Sequence, residues 1–210
     1  MHPPPRLATP PTRRHVIVGT ATALLAEAGV GAGRWLNPAE LERLARLGTG
    51  DAADAFLAAH VSVRRCVAAL LGVPAHEVDI AQRCERCTRA HGKPRVTSHD
   101  DVSVSWSHAG AFVAAVASST PVAVDIEPPA RPHPVPALAF HPAELARIGE
   151  RAGVKAINRW CEKECLVKLG LVALDDFAQL DLNDGYPGVT FEQLAAPGGA
   201  ICVLATSNGP

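Results

Sequence analysis

The sequence predicts an α+β fold made of two similar halves. Helical patterns with clear start and stop residues come first, and short β-type runs separated by turn residues follow them. After residue 127 the same order of helices and then strands returns. Runs of helices followed by runs of strands are typical of α+β architecture rather than of an alternating α/β sheet.

Composition places the chain among soluble globular proteins. Its 210 residues are 48% hydrophobic and 20% charged, with a formal net charge of −1, so no overall field recruits nucleic acid or an anionic membrane. The apolar runs are too short to span a bilayer, and the proline-rich start lacks the apolar stretch of a signal peptide. We therefore expect a cytoplasmic protein that binds neither nucleic acid nor membrane.

Three parts are expected along the chain. Residues 1–14 contain five prolines and no periodicity, which is typical of a flexible leader. Residues 15–119 form the N-terminal α+β half, and residues 120–210 form the C-terminal half. Because two such halves complete a cleft by themselves, we expect a monomer.

The N-terminal half is predicted to start with a strand over 15–20. A helix then begins at Asn37, where Asn caps, Pro38 takes the first helical position and Glu40 reaches back to the cap. A longer helix is predicted from Asp51 to Leu71, ending at Gly72. Short strands are predicted over 102–106 and 112–117, and a further one over 122–126 opens the C-terminal half.

The C-terminal half is predicted to contain two helices and two strands after a proline-dense loop over 128–136. The helices span about 142–149 and 154–169. The strands span 189–194 and 200–205 around a turn at Gly198-Gly199.

Two carboxylates lie on one face of the predicted strand over 122–127. Alternate side chains of a strand share a face, so Asp125 and Glu127 lie opposite the valines and the isoleucine, about 6.5–7 Å apart. Mg²⁺ is commonly held by one or two carboxylates together with water and phosphate oxygens. An edge strand with a solvated polar face would show the same pattern, so both interpretations stay open.

The helix over 154–169 carries two charges on its apolar side. That side is formed by Val154, Ile157, Trp160, Cys161, Cys165 and Leu169. Glu164 and Lys168 fall within it and need partners, either each other at i,i+4 or a metal and a phosphate. Outside it, where solvent is expected, lie Arg159, Glu162 and Lys163.

Two further segments could contact an anion. His108 follows small polar residues at a predicted strand-to-turn position, and His91-Gly92-Lys93-Pro94-Arg95 offers cations in a kinked loop. Each is a weak signal alone, since a single such histidine is usually structural.

Taken together, these motifs follow the order and approximate spacing of one known family. They are Gly92-Lys93-Pro94, Ser107-His108, Val124-Asp125-Ile126-Glu127 and Trp160-x-x-Lys163-Glu164-x-x-x-Lys168. With the stretch from Phe56 to Pro74, they resemble the Sfp-type 4′-phosphopantetheinyl transferases, which serve polyketide and peptide synthetases. The resemblance covers about residues 56–169.

The resemblance implies a pseudo-dimer of two α+β halves with coenzyme A in the cleft between them. It implies transfer of phosphopantetheine from coenzyme A to a serine of an apo acyl or peptidyl carrier protein. By the same resemblance, Mg²⁺ would be held by Asp125, Glu127 and Glu164. Catalytic roles would fall to Glu164 as the candidate base, and to Lys168 and His108. Coenzyme A would be contacted by Lys93, Ser107, His108, Arg64, Lys163 and Lys168.

The chain departs from the family pattern at several positions. Small residues replace the usual ones at Ala109, Ala123 and Cys165. Residues 50–55 carry Asp51 and Asp54 where relatives are commonly basic. This second departure motivates an alternative, a non-catalytic relative that binds coenzyme A or a carrier protein as a regulatory module.

The six cysteines are expected to be reduced, because no export signal accompanies them. Core packing explains Cys66, Cys161, Cys165 and Cys202. Cys84, Cys87 and His91 have the spacing of half a zinc site without a fourth ligand nearby. A loop with free thiols is favoured over a zinc-stabilised interaction module.

Overall fold

The computed structural model describes residues 13–29, 31, 34–82, 92–130, 135–149 and 153–208. Within these residues lie five α-helices and three small antiparallel sheets, which confirms the predicted α+β class. The helices are α1 (Ala21–Ala28), α2 (Pro38–Leu47), α3 (Asp51–Leu71), α4 (Pro142–Ile148) and α5 (Gly153–Leu169). The strands are β1 (Arg14–Thr20), β2 (Ile80–Gln82), β3 (Pro94–Val96), β4 (Ser103–Ala109), β5 (Phe112–Ser118), β6 (Val122–Glu127), β7 (Val189–Leu194) and β8 (Ile201–Ser207).

Two three-stranded sheets share one strand order. The first is β1-β5-β4 and the second is β6-β8-β7, so in each the last strand of the sequence lies in the middle. The main helices of each half come between its first strand and the following pair. A small β2-β3 ladder lies between α3 and β4 along the chain.

Each sheet packs one face against a long helix. Val63 and Val67 of α3 pack on the first sheet, and Ile157 and Cys161 of α5 pack on the second. The opposite faces meet each other through a core that joins β5, β6 and β8, including Val116, Val124 and Leu204. The alternation of β6 therefore sends its valines into the inter-sheet core and Asp125 toward α5.

The β4-β5 turn corrects the expected position of His108. Ala109 pairs with Phe112 across a two-residue turn at Gly110-Ala111, and Gly110 has a positive φ of 56°. Glycine is favoured there because a hairpin turn of this length needs a left-handed residue. β4 therefore continues to Ala109, and Ser107 and His108 lie within the strand.

Two other expectations are corrected. The α1 helix was not predicted, although Thr20 caps its start and Gly29 ends it in the left-handed region. Val154, expected on the apolar face of α5, is 55% exposed. Both departures occur where few side chains are buried, so the hydrophobic pattern is weak.

The other sequence expectations divide by region. Cys66, Cys161, Cys165 and Cys202 are buried free thiols, which confirms their interpretation as core residues. Residues 1–12 of the expected leader, and the Cys84, Cys87 and His91 group, lie outside the described residues. In the part of the chain that is described, no helix has the length and apolar character needed to cross a bilayer.

Candidate functional site

Asp125 is the central side chain of the candidate site. It lies on β6, is 5% exposed and faces α5. Its Oδ1 atom accepts hydrogen bonds from Ser107 Oγ and from Lys168 Nζ, each at 2.7 Å. Lys168 also donates to the carbonyl of Val124 at 2.9 Å. The carboxylate is thus held from β4 and from α5 through one oxygen.

The other carboxylate oxygen of Asp125 is in a different situation. Oδ2 is buried, and among the described residues no donor lies within hydrogen-bond geometry of it, although the Cys161 thiol acts on this carboxylate as a weak donor. A buried charged oxygen without a partner is costly, and such an atom in a native structure calls for an explanation such as an ion. The atom therefore fits a cation-binding role.

Lys168 is charged at this position. Burial, the largest effect, would lower its pKa, but the charge and the hydrogen bond of the Asp125 carboxylate, together with the charge of Glu164, raise the pKa overall. The Asp125–Lys168 pair is therefore an ion pair with one carboxylate oxygen to spare.

Glu127 and Glu164 border the same region. Both are half-buried, and the charge of Glu164 acts on Lys168 while that of Glu127 acts on Cys161. Among the described residues, however, no three His, Cys, Asp or Glu side chains converge as a ready-made ligand group. Mg²⁺ does not need such a cage, because it retains waters and binds substrate phosphates with one or two carboxylates.

The cysteines beside Asp125 are poor alternatives as ligands. Burial, followed by the negative charge of Asp125, raises the pKa of the Cys161 and Cys165 thiols. The same two causes raise the pKa of Cys202 to about 12. Neutral thiols bind metals weakly, so oxygen atoms are the available donors.

Basic side chains from several elements act on His108 of β4. His108 is exposed on β4, and its pKa is lowered first by partial desolvation and then by the positive charges of His60, Arg43 and Lys168. These four side chains belong to α2, α3, β4 and α5. Because burial lowers the pKa of both histidines, Arg43 and Lys168 supply the positive charge of this region at neutral pH.

A cavity of about 430 Å³ opens beside this positive region. Its walls include Glu40, Arg43, Phe56, His60 and Gln82. The His60 ring lies between Phe56, at 4.2 Å between centroids, and Trp106, at 4.9 Å. The Arg43 guanidinium lies 5.3 Å above the Phe56 ring. Aromatic walls and a cation are a chemistry suited to a flat, negatively charged group.

Arg64 and Lys163 are placed differently from expectation. Arg64 is 1% exposed and pairs with Glu40 at 2.7 Å. Lys163, expected in solvent, is fully buried against Glu144 at 2.6 Å. Because neither cation presents surface to a ligand, their sequence-predicted contacts with coenzyme A are not supported by this geometry.

Lys93 remains at the surface. It is exposed, and its Nζ lies 3.5 Å from the carbonyl of Leu169 at the end of α5. It also lines a cavity of about 420 Å³ together with Arg95 and His99. The structure thus brings Ser107, Asp125 and Lys168 into direct contact and leaves Lys93 apart from them.

The buried hydrogen-bond network that Glu40 forms with His60 and Arg64 was not predicted from the sequence. Glu40 accepts a hydrogen bond from the buried Arg64, and its other oxygen lies 2.7 Å from His60 Nδ1. One signal was present, since His60 and Arg64 are polar residues four apart in an otherwise apolar part of α3. Polar side chains on a core-facing helix indicate a buried partner.

Comparison with known proteins does not add a relative. No protein-family model matches the chain, and no curated protein matches it either. The site must therefore be interpreted from its own geometry.

Proposed function

We propose that the protein is a Mg²⁺-dependent 4′-phosphopantetheinyl transferase that uses coenzyme A and an apo acyl or peptidyl carrier protein. The finer fold assignment belongs to the same proposal, namely a pseudo-dimer of two α+β halves. The identical strand order of the two sheets supports it.

The observation that carries the proposal is the Asp125 carboxylate. Among the described residues it offers a buried oxygen without a hydrogen-bond partner, in the region of half-buried Glu127 and Glu164, and the charges of Arg43 and Lys168 act on nearby His108. Carboxylates on one side and cations on the other suit a pyrophosphate with its divalent ion.

The reaction requires one bond to form and one to break. The carrier serine oxygen attacks the phosphorus that bears pantetheine, and the pyrophosphate P–O bond breaks with its electron pair going to adenosine 3′,5′-bisphosphate. The serine proton passes to a carboxylate, for which Glu164 is our candidate. Lys168 pairs with Asp125 and would add positive charge where negative charge develops.

Mg²⁺ would be held by Asp125 and Glu127, with Glu164 close by, and would supply charge neutralisation at the pyrophosphate. His108 and Arg43 would contact phosphate oxygens. With its lowered pKa, His108 is a neutral hydrogen-bonding group near neutral pH, whereas Arg43 is a permanent cation.

The first experiment is intact-protein mass spectrometry of apo acyl and apo peptidyl carrier proteins after incubation with this protein, coenzyme A and Mg²⁺. We expect a gain of one phosphopantetheine group that EDTA abolishes. Asp125→Asn and Glu164→Gln should slow transfer by about 100-fold or more, the scale for losing one electrostatic transition-state contact. Glu192→Gln, an exposed carboxylate on β7, is the matched control and should leave the rate unchanged.

The non-catalytic alternative predicts a different result. Coenzyme A would bind, as followed by calorimetry, but no tested carrier would gain mass. The acidic segment that motivated this alternative has another explanation, because Asp51 and Asp54 lie in the first turn of α3, where the helix dipole stabilises negative charge. Transfer in the mass-spectrometric assay would exclude the alternative.

A further inference from the structure

Three serines on β4 face β6 and form what we call the serine seam, Ser103, Ser105 and Ser107. Their alternate positions place them on one side of the strand. Ser103 Oγ accepts a hydrogen bond from the backbone N–H of Val122, and Ser105 Oγ accepts one from Val124, each at 3.1 Å. Successive serines meet successive alternate residues, so β4 and β6 run in the same direction.

The seam replaces a backbone ladder between the two sheets. Within the described residues, β6 pairs with β8 alone, and no ladder joins it to β4. Backbone N–H groups along that edge of β6 need partners when buried, and the small hydroxyl side chains provide them. The seam is thus a direct connection between the first half of the chain and the second.

Ser107 departs from this repeat. Continuing the pattern would bring it to Ile126, but its hydroxyl donates instead to Oδ1 of Asp125 at 2.7 Å. The departure occurs at the one position of the seam next to the candidate site. Lys168 donates to the same Oδ1 atom, and within the described part of the chain no donor has hydrogen-bond geometry to the buried Oδ2.

We propose that Ser107 is a positioning residue that orients the Asp125 carboxylate for a divalent cation. This rests on the proposed function and assigns the Ser107 hydroxyl to Asp125 rather than to coenzyme A. Two donors on Oδ1 fix the rotation of the carboxylate, so Oδ2 points toward the cation in advance. Because Ser107 and His108 lie on β4 and Asp125 lies on β6, the hydrogen bond also fixes the position of Asp125, the proposed metal ligand, relative to His108.

The size of the effect follows from the contacts. Removing the hydroxyl leaves the Lys168 ion pair in place, so Asp125 keeps a charged partner and the fold is retained. Loss of an outer partner of a metal ligand typically weakens metal affinity or activity by about 10- to 100-fold. We expect Ser107→Ala to fall in that range and Ser107→Cys, which keeps a weak donor of similar size, to lie between it and the native protein.

The test measures Mn²⁺ binding in the presence of saturating coenzyme A, by the electron paramagnetic resonance signal of free Mn²⁺. The proteins are native, Ser107→Ala, Ser107→Cys, Asp125→Asn and the matched seam variant Ser103→Ala. Asp125→Asn should lose binding, Ser107→Ala should weaken it, and Ser103→Ala should leave it unchanged. In the transfer assay, Ser107→Ala should raise the Mg²⁺ concentration at half-maximal rate and recover rate at high Mg²⁺.

The outcomes separate the inference from the proposed function. If Asp125→Asn loses Mn²⁺ binding while Ser107→Ala binds as tightly as the native protein, the positioning role is overturned and the metal site stands. If the native protein binds no Mn²⁺, or Asp125→Asn binds it equally well, the metal site and the inference both fail. Equal weakening in Ser103→Ala and Ser107→Ala would show a general effect of the seam on packing and would also overturn the specific role of Ser107.

Discussion

The helix pairs α2–α3 and α4–α5 share one capping motif but place it in different surroundings. Residues 37–43 and 141–147 share the pattern x-Pro-Ala-Glu-Leu-x-Arg. Both segments start a helix with a capping box, with proline at the beginning and a buried glutamate at the third helical position. The pattern is an internal sequence repeat that relates the start of α2 to the start of α4.

In both pairs the capping glutamate also holds a buried cation from the next helix. Glu40 Oε2 lies 2.7 Å from Arg64 on α3, and Glu144 Oε2 lies 2.6 Å from Lys163 on α5. Each glutamate has a second basic neighbour, His60 for Glu40 and Arg159 for Glu144. The capping glutamate thus fixes the short helix to the long one.

The two networks differ in the exposure of their glutamates, since Glu40 is 8% exposed and Glu144 is 0% exposed, although Arg159 of the second network also lines a cavity. Glu40 and His60 line the cavity of about 430 Å³, beside the cations of the candidate site. Lys163, in contrast, donates to the carbonyls of Ala139, Phe177 and Leu180 and is fully buried. The same capping glutamate thus forms part of a cavity wall in the Glu40 network, which we call the open network, and a fully buried ion pair with Lys163 in the Glu144 network, which we call the sealed network.

The largest effect is expected from the sealed network. Lys163→Met should lower the free energy of unfolding by about 3–5 kcal/mol, because it leaves Glu144 and three carbonyls buried with less compensation. Arg64→Met should cost less, since Glu40 borders the cavity, where water can reach it, whereas Glu144 is fully buried. Urea denaturation followed by circular dichroism measures both.

Two further variants test this reasoning. Lys155→Met removes an exposed lysine of the same helix and should leave stability nearly unchanged. The double variant Glu144→Gln with Lys163→Met should recover part of the loss, because no buried charge then lacks its partner. An equal cost for Lys163→Met and Arg64→Met would contradict the distinction between a sealed and an open network.

Local signals predicted the elements well, whereas contacts between distant segments were not predictable. The predicted bounds of the long helix match α3, because Asp51 starts it and Gly72 ends it. Lys163 was placed in solvent because a helical wheel contains only the positions of α5. The partners that bury it, Glu144 and the carbonyls of Ala139 and Phe177, come from other segments.

The candidate site shows the same division. Strand alternation correctly separated Asp125 from the valines of β6. The contact of Asp125 with Ser107 depends on β4 lying beside β6 without a ladder, which no short-range pattern specifies. Helical spacing placed Lys168 inward, yet its choice of Asp125 rather than Glu164 as hydrogen-bond partner required the tertiary structure.

A smaller effect on stability is expected when the pH is lowered and His60 and Glu40 of the open network become protonated. Burial, with further effects from Arg64 and Arg43, lowers the pKa of His60 despite its hydrogen bond to Glu40. The unfolded chain therefore binds a proton at about pH 6.5 that the folded protein does not yet bind. Stability should fall as the pH drops below about 6.5 toward the folded pKa of His60, and His108 acts in the same direction.

Glu40 adds to the loss at lower pH. Burial would raise its pKa, but the hydrogen bond and charge of His60 and the charge of Arg64 lower it overall. This contribution disappears as the pH falls below the usual range of a glutamate. When the pH is lowered from about 7 to about 5, the midpoint temperature of thermal unfolding should change less in His60→Asn than in the native protein. The exposed-histidine control His76→Asn should keep the native slope, and a native midpoint that is flat over this range would contradict the prediction.

The smallest effect separates the two caps of the repeated pattern. Asn37 Oδ1 accepts from the N–H of Glu40 at 3.0 Å, and its Nδ2 donates to the carbonyl of Ile80 at 3.0 Å. His141 Nδ1 accepts from the N–H of Ala143 at 3.2 Å. Replacing a capping side chain by alanine costs about 0.5–2 kcal/mol. We expect Asn37→Ala near the upper end of that range and His141→Ala near the lower end.

The reason for the difference is the additional contact of Asn37. Its amide joins the start of α2 to β2, and both border the 430 Å³ cavity. The cap therefore also fixes the position of Arg43, nearly two turns later in α2. Asn37→Ala should therefore weaken coenzyme A binding in calorimetry as well as stability, whereas His141→Ala should affect stability alone. Asn37→Asp is the discriminating variant, because it retains the cap on Glu40 but cannot donate to Ile80. If Asn37→Asp has native stability and native coenzyme A binding, the cap alone accounts for both properties, and the hydrogen bond from Asn37 to Ile80 of β2 contributes to neither.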